Sequence, residues 1–543
     1  MHSIIRQQSK SIKHGRLYYN INIGSYIYRR MASSTSKAFA QGLVDFINES
    51  PTPFHACDSA KKSLVKAGFS EIKERDAWAG KVTSGGKYFL TRNGSSIIAF
   101  AVGKLWKPGN PMSIVGAHTD SCALRLKPVS KRTTEGNTFL QVGVESYGGG
   151  LWHTWFDRDL SMAGRAMVRQ KDGNIVAKLV KIDKPILRVP TLAIHLDRQE
   201  KFEFNKESQL FPILGLVSAE LNKDAPAATE DKMDVEKKDE DKSDKPFAPL
   251  SAITERHHPA VVRLIAEATE SEPEDILDFE MLLYDVQKGQ LGGLNDELIF
   301  SARLDNLGMT YCSVEALIAS VEASDALDKE AGIRIIACFD HEEIGSTTAQ
   351  GADSNLLPAV VRRLSVLSGD KEFDFASVSS NASNSSATTG GDHLFSATTT
   401  YFEESLIKSF LISADMAHSV HPNYGGKYES HHRPEMNKGT VIKVNANARY
   451  ATNSPGIVLV QECAREAGVP LQLFVVRNDS SCGSTIGPML SAQMGMRTLD
   501  LGNPQLSMHS IRETGGAYDV EHAIKLFTKF FERYTVLEPT IFV

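Results

Sequence analysis

The sequence runs to 543 residues, 41% hydrophobic and 23% charged, with a net charge of −6. That length allows a large core divided between two domains, and the acidic balance lacks the basic footprint of a nucleic-acid binder. No apolar run approaches the roughly 18 residues of a membrane-spanning helix. The six cysteines are scattered and form no C-x-x-C pair, as expected of small core residues in a reducing compartment.

The first acidic residue is Asp45. Residues 1–33 therefore form a basic extension, expected to be disordered; a mitochondrial presequence and a working start at Met31 are the other readings. Helical patterning covers 38–47 and, after the proline-rich turn in "SPTPFHAC", 56–67. Strand-like runs follow at 87–91, 96–102 and 112–117. The stretch 124–283 is glycine-rich and β-leaning, and reads as a domain inserted into the first. Within it, 223–245 is almost wholly charged or small and is expected to stay disordered at the surface. Strands and helices then alternate: strands at 281–286, 297–301, 332–339, 409–414 and 472–476, helices at 306–320, 355–367, 457–467 and 519–534. Such alternation predicts an α/β fold, a sheet with helices on both faces.

The stretch "CFDHEEIGS" (338–346) begins like the helical zinc motif H-E-x-x-H, but Gly345 stands where the second histidine belongs. The run before it is apolar and β-branched, so His341, Glu342 and Glu343 follow the carboxyl end of a strand, where open α/β sheets bind ligands. Four further runs end in the same way, at His118 with Asp120, at Asp305, at Asp415 and at His509. Alone, each such residue reads as a cap or turn residue, and Asp305 before its helix is a good cap. Together they offer two imidazoles and several carboxylates on one sheet edge, a donor set suited to zinc, manganese or cobalt. Five ligands serve two metals if one carboxylate bridges. Glu342 would then take a proton from the attacking water, while Glu343 ligates and points elsewhere from an extended turn. Asp120 would orient the His118 ring.

The stretches "GAHTDS", "YGGGLWHTWFDRDL", "AIHLDR", "SARLDN", "FDHEEIGS", "SADMAHSVHPNY", "HRPEMNKGTVIKVNANARYA" and "QLSMHSIRE" resemble, in order, the aspartyl aminopeptidases, dinuclear zinc exopeptidases, in their fungal form. The resemblance implies a zinc-peptidase mixed sheet flanked by helices, its catalytic parts at 34–123 and 284–543, with 124–283 as a β-rich dimerisation domain. It implies two zinc ions per subunit, manganese or cobalt being possible at one site. His118 and Asp415 would hold one, Glu343 and His509 the other, with Asp305 bridging, Glu342 as general base and Asp120 orienting His118. Lys443 and Tyr450 would contact substrate, and His195 would reach a neighbouring subunit's site. His341, His418, His421, His431 and His432 are left outside the metal shell.

The function so implied is removal of N-terminal Asp or Glu from free-amine peptides, by a tetrahedral dodecamer built from dimers. Neither nucleic acid nor membrane is an expected partner. A related dizinc carboxypeptidase or deacylase, or a non-catalytic assembly or cargo protein keeping the fold, are the alternatives. The expected location is cytoplasmic, with the vacuole or mitochondrion as alternatives.

Overall fold

The computed structural model describes residues 23–133, 138–198, 200–221, 250–367 and 400–541. The charged insert 223–245 and most of the basic extension lie outside these. The extension's last part does not: a helix spans Ile23–Glu49, starting well before the expected 38.

A nine-stranded mixed sheet forms the frame. Its order is Ser70–Glu71, Lys87–Arg92, Ser96–Val102, Ile333–Phe339, Met112–His118, Phe410–Ala414, Arg497–Gly502, Thr440–Val444 and Leu471–Val475. Four of these strands, Ser96–Val102, Met112–His118, Ile333–Phe339 and Phe410–Ala414, are buried at every position. Both faces are covered, so they read as continuous apolar runs rather than alternating ones. One face packs under the helices Leu304–Ser320, Ser454–Ala467 and Ala517–Leu537, the other under Leu356–Ser365 and Ile486–Met494.

Register places the chemistry. Met112–His118 pairs in parallel with Ile333–Phe339, His118 opposite Phe339, and in parallel with Phe410–Ala414, Ser413 opposite Gly116. Three carboxyl ends therefore open on one edge, and each is followed within a few residues by an acid or histidine.

Two helix starts differ from expectation for one reason. Pro53 and Pro455 occupy the first helical turn, where a missing N–H costs nothing, and Thr52 and Asn453 cap the ends through their side chains. Proline marks a beginning there rather than a break.

Residues 123–285 carry a second, six-stranded antiparallel sheet, in the order Ile175–Lys181, Leu160–Arg169, Ile276–Asp285, Ala123–Thr133, Phe139–Tyr147 and Ile213–Leu216. Its inner face holds a separate core, with Val142, Trp152, Met162 and Met281, beneath the helix Pro259–Thr269. A small third sheet includes Pro504–Leu506 and Glu513–Gly516 and holds the segment around His509 in place. Among the described residues, no helix is long and apolar enough to cross a membrane.

Candidate active site

His118 closes its strand and is 1% exposed. Its Nδ1 lies 3.3 Å from Asp120 Oδ1. Its Nε2 faces three carboxylates: Asp305 Oδ1 at 3.4 Å, Asp415 Oδ1 at 3.7 Å and Glu342 Oε2 at 3.8 Å. His509 repeats the pattern with Nε2 at 3.4 Å from Asp305 Oδ2 and 3.5 Å from Glu343 Oε2, while its Nδ1 lies 3.2 Å from the Gly149 carbonyl. Asp305 thus turns one oxygen to each imidazole. It is no helix cap: its backbone is extended (φ −84°, ψ 107°), as a cap's would be, but its carboxylate is turned to the two imidazoles instead of to helix N–H groups.

Glu342 and Glu343 do not occupy the extended turn expected of them. They sit in one turn of 3-10 helix, Glu342–Ile344, entered through His341 in the left-handed region at φ 65°. Successive residues of such a turn project about a third of a turn apart. That separates the two carboxylates as an extended segment would, sending Glu342 to His118 and Glu343 to His509. His341 faces Thr348 Oγ1 at 2.7 Å and Asp340, away from the cluster.

Two buried carboxylates brace these side chains through the main chain. Asp120 accepts the N–H of Glu342 at Oδ1 and of Glu343 at Oδ2, both at 3.1 Å, and the Tyr147 hydroxyl at 2.8 Å. Glu513 accepts the N–H of Asp305 at 3.1 Å and of His509 at 2.9 Å. Sequence reasoning singled out Asp120 but neither Tyr147 nor Glu513. An acid opening a four-residue strand gives no periodic signal, and only its burial, 2% exposed, sets Glu513 apart.

The charge balance calls for a cation. Burial, then the charges of Asp415 and Asp305 respectively, pushes Glu342 and Glu343 up to about 8. Burial works against the charged form of His118, yet Glu342, Asp120 and Asp305 hold it well above its ordinary value. The bond to Asp305 raises His509 as well. Asp305 is held low by both rings despite its burial, and its Oδ1 has no hydrogen-bond partner. Separations of 3.4–3.8 Å are long for N–H···O bonds. They fit instead the edges of a coordination sphere whose bonds are about 2.0–2.2 Å long. His118, Glu342 and Asp415 form one group able to hold a metal, and Cys122, Glu343 and His509 another.

A cavity of about 300 Å³ opens onto the first group and includes Lys443, Tyr450, His418 and Phe474 in its walls. Lys443 is 3% exposed, with Nζ 3.7 Å from Asp415 Oδ2 and 5.5 Å from the centre of the Tyr450 ring. His421, His431 and His432 line neither metal group. His195 is not brought to this site. It lies exposed beside Leu192, Ile194 and Leu196, which are 59%, 66% and 76% exposed.

The profile of the aminopeptidase I zinc metalloproteases (M18) matches residues 46–394 and 390–531. An aspartyl aminopeptidase of Aspergillus oryzae is 63% identical over 94% of this chain and 100% of its own. Among solved structures, a chain of the Ape4 and Nbr1 complex aligns with a TM-score of 0.81 at 47% identity, over 94% of this chain and 88% of that one. The dodecameric mApe1 of Saccharomyces cerevisiae aligns with a TM-score of 0.74 at 28% identity, over 93% and 98%. With a metal-competent donor set on the sheet edge and this likeness along nearly its whole length, the chain belongs to the M18 family of zinc metalloproteases.

Proposed function

We propose that this chain is a dinuclear zinc aminopeptidase that removes Asp or Glu from the free amino end of peptides. The observation that carries the reading is Asp305, with one oxygen at 3.4 Å from His118 Nε2 and the other at 3.4 Å from His509 Nε2. His118 and Asp415 would hold one ion, Glu343 and His509 the other, and Asp305 both. When bound, such a pair acidifies water and polarises the scissile carbonyl.

The remaining chemistry belongs to the protein. Glu342, held by Asp120 through its own N–H, takes the proton of the attacking water and returns it to the departing amine. Asp120 keeps the His118 ring oriented. Lys443 and Tyr450 face the same cavity, where a buried ammonium can receive the side-chain carboxylate of an N-terminal acid. The 63% identical relative that is named an aspartyl aminopeptidase supports that substrate class.

The working form is a homo-oligomer, a tetrahedral dodecamer assembled from dimers through the six-stranded sheet. Support comes from the dodecamer among the structural neighbours and from the exposed apolar turn around His195, which has no role in its own subunit's site. The functional test is a pair of peptides with Asp first, one with a free amine and one N-acetylated, assayed with and without zinc, manganese or cobalt. The free-amine peptide should be cleaved and the acetylated one spared; the opposite preference would point to a deacylase or carboxypeptidase.

A further inference from the structure

We propose that Asp500 is a positioning residue for acid recognition, holding together the segments that wall the substrate cavity around Lys443. The inference rests on the substrate reading above and adds two residues to it, Asp500 and Thr452. Neither lines the cavity; both act through the residues that do. Asp500 lies inside the strand Arg497–Gly502 and is 0% exposed. Its Oδ2 accepts the N–H of Ala451 at 2.6 Å, and its Oδ1 accepts the Thr485 hydroxyl at 2.5 Å. The Ala451 N–H belongs to the peptide that joins it to Tyr450, so this bond fixes the backbone beneath the Tyr450 ring. Thr485 stands at the start of the helix Ile486–Met494, yet its hydroxyl does not cap that helix. It turns to Asp500 instead, and so holds the cavity wall formed by Gly483, Ser484 and Thr485.

The sheet ladder opens at this point. Thr440–Val444 runs antiparallel to Arg497–Gly502, with Val441 opposite Gly502 and Ile442 opposite Leu501. The next pair in that register would be Lys443 with Asp500, and the Thr452 hydroxyl stands between them. It accepts the Asp500 N–H at 3.1 Å and donates to the Lys443 carbonyl at 2.6 Å. One hydroxyl therefore takes the place of a ladder bond and ties the segment after Tyr450 to the backbone of Lys443. Gly487 leaves room for the carboxylate: a Cβ there would lie 2.4 Å from both Asp500 oxygens.

The recognition cavity is thus shaped from behind. Lys443 Nζ lies 5.5 Å from the centre of the Tyr450 ring, a spacing that depends on the Ala451 peptide and the Thr452 hydroxyl. The main chain of the metal-binding residues is braced elsewhere, by Asp120 and Glu513. Loosening Asp500 should therefore cost affinity for the acidic side chain before it costs turnover.

The test is steady-state kinetics on free-amine peptides led by Asp or by Ala, with zinc content measured on each sample. The variants are Asp500→Ala and Thr452→Val, with Thr452→Ser as the conservative control. The native protein should favour the Asp-led peptide. In Asp500→Ala and Thr452→Val that preference in kcat/KM should fall about tenfold, the scale of one lost hydrogen bond. The fall should come through KM of the Asp-led peptide, with zinc content unchanged. Thr452→Ser keeps the hydroxyl and should keep the native preference. A native preference that survives in Thr452→Val would overturn the inference, even if Asp500→Ala does not fold. Equal losses on both peptides would overturn it as well, by reducing the two residues to a general structural role. A native protein indifferent to the first residue would overturn the acid-recognition reading itself, and the inference with it.

Discussion

Glu513 holds Asp305 by its backbone, accepting the Asp305 N–H at 3.1 Å, and its second oxygen accepts that of His509 at 2.9 Å. Asp120 does the same for Glu342 and Glu343 on the opposite side. Each brace ties together two residues that come from separate elements or whose side chains face different imidazoles. The backbone that carries the donors is thus held by main-chain hydrogen bonds on both sides of the site.

Replacing Glu513 by Gln should loosen the centre. Every bond Glu513 makes is as an acceptor, and an amide would present N–H to N–H at one of them. Loss of a partner behind a metal ligand costs about 10–100-fold in metal affinity. Competition with a chromophoric chelator measures this. Native affinity in Glu513→Gln would show that the brace is dispensable.

Asp120→Asn should lower kcat about 10–100-fold with little change in KM, since it disturbs His118 and the Glu342 turn rather than the substrate cavity. Tyr147→Phe removes one of the bonds to the same carboxylate and should have the smaller effect. Steady-state kinetics on a peptide with Asp first distinguishes the two.

Metal-free protein should lose stability as pH rises. Glu342 and Glu343 move from an ordinary value of 4.5 up to about 8 on folding, through burial first and neighbouring carboxylates second. A raised carboxyl means that the folded state holds protons the unfolded chain has released. Their contribution is complete below pH 4.5 and is lost as pH rises through 8. Melting temperature of the stripped protein should fall across that window and stay flat once zinc is added. A flat profile without metal would contradict the charge balance described for the site.

Lys443→Met should abolish the preference for acidic residues. A buried lysine facing the substrate's carboxylate makes a charge-assisted bond worth about 1.5–3 kcal/mol, or roughly 10–150-fold in kcat/KM. The loss should appear with Asp- and Glu-led peptides and not with Ala-led ones. Equal losses on all three would assign Lys443 to holding Asp415 instead.

Much of the site was legible because fully buried parallel strands are continuous apolar runs with abrupt ends. His118, Asp415 and the Glu342–Glu343 pair could each be placed at such an end. The conformation of that pair could not, because a left-handed His341 leaves no mark in the sequence. Asp305 looked like a cap, since the residue type is right and only the direction of its carboxylate, toward His118 and His509, denies the role. Ile486–Met494 was not read as an element, and Thr440–Val444 and Arg497–Gly502 were given no bounds of their own. They are short, and their patterns blend into glycine-rich connections. Glu513 acts through contacts made by distant segments, which no local pattern encodes.

The central claim is that Glu342 moves the proton while its neighbours hold the metal. Its most direct test is Glu342→Gln, with turnover of an Asp-led peptide and zinc content measured on the same sample. Turnover should fall about 10²–10⁴-fold with zinc unchanged from the native protein. Unaltered turnover, or a loss of zinc that accounts for the lost turnover, would contradict it.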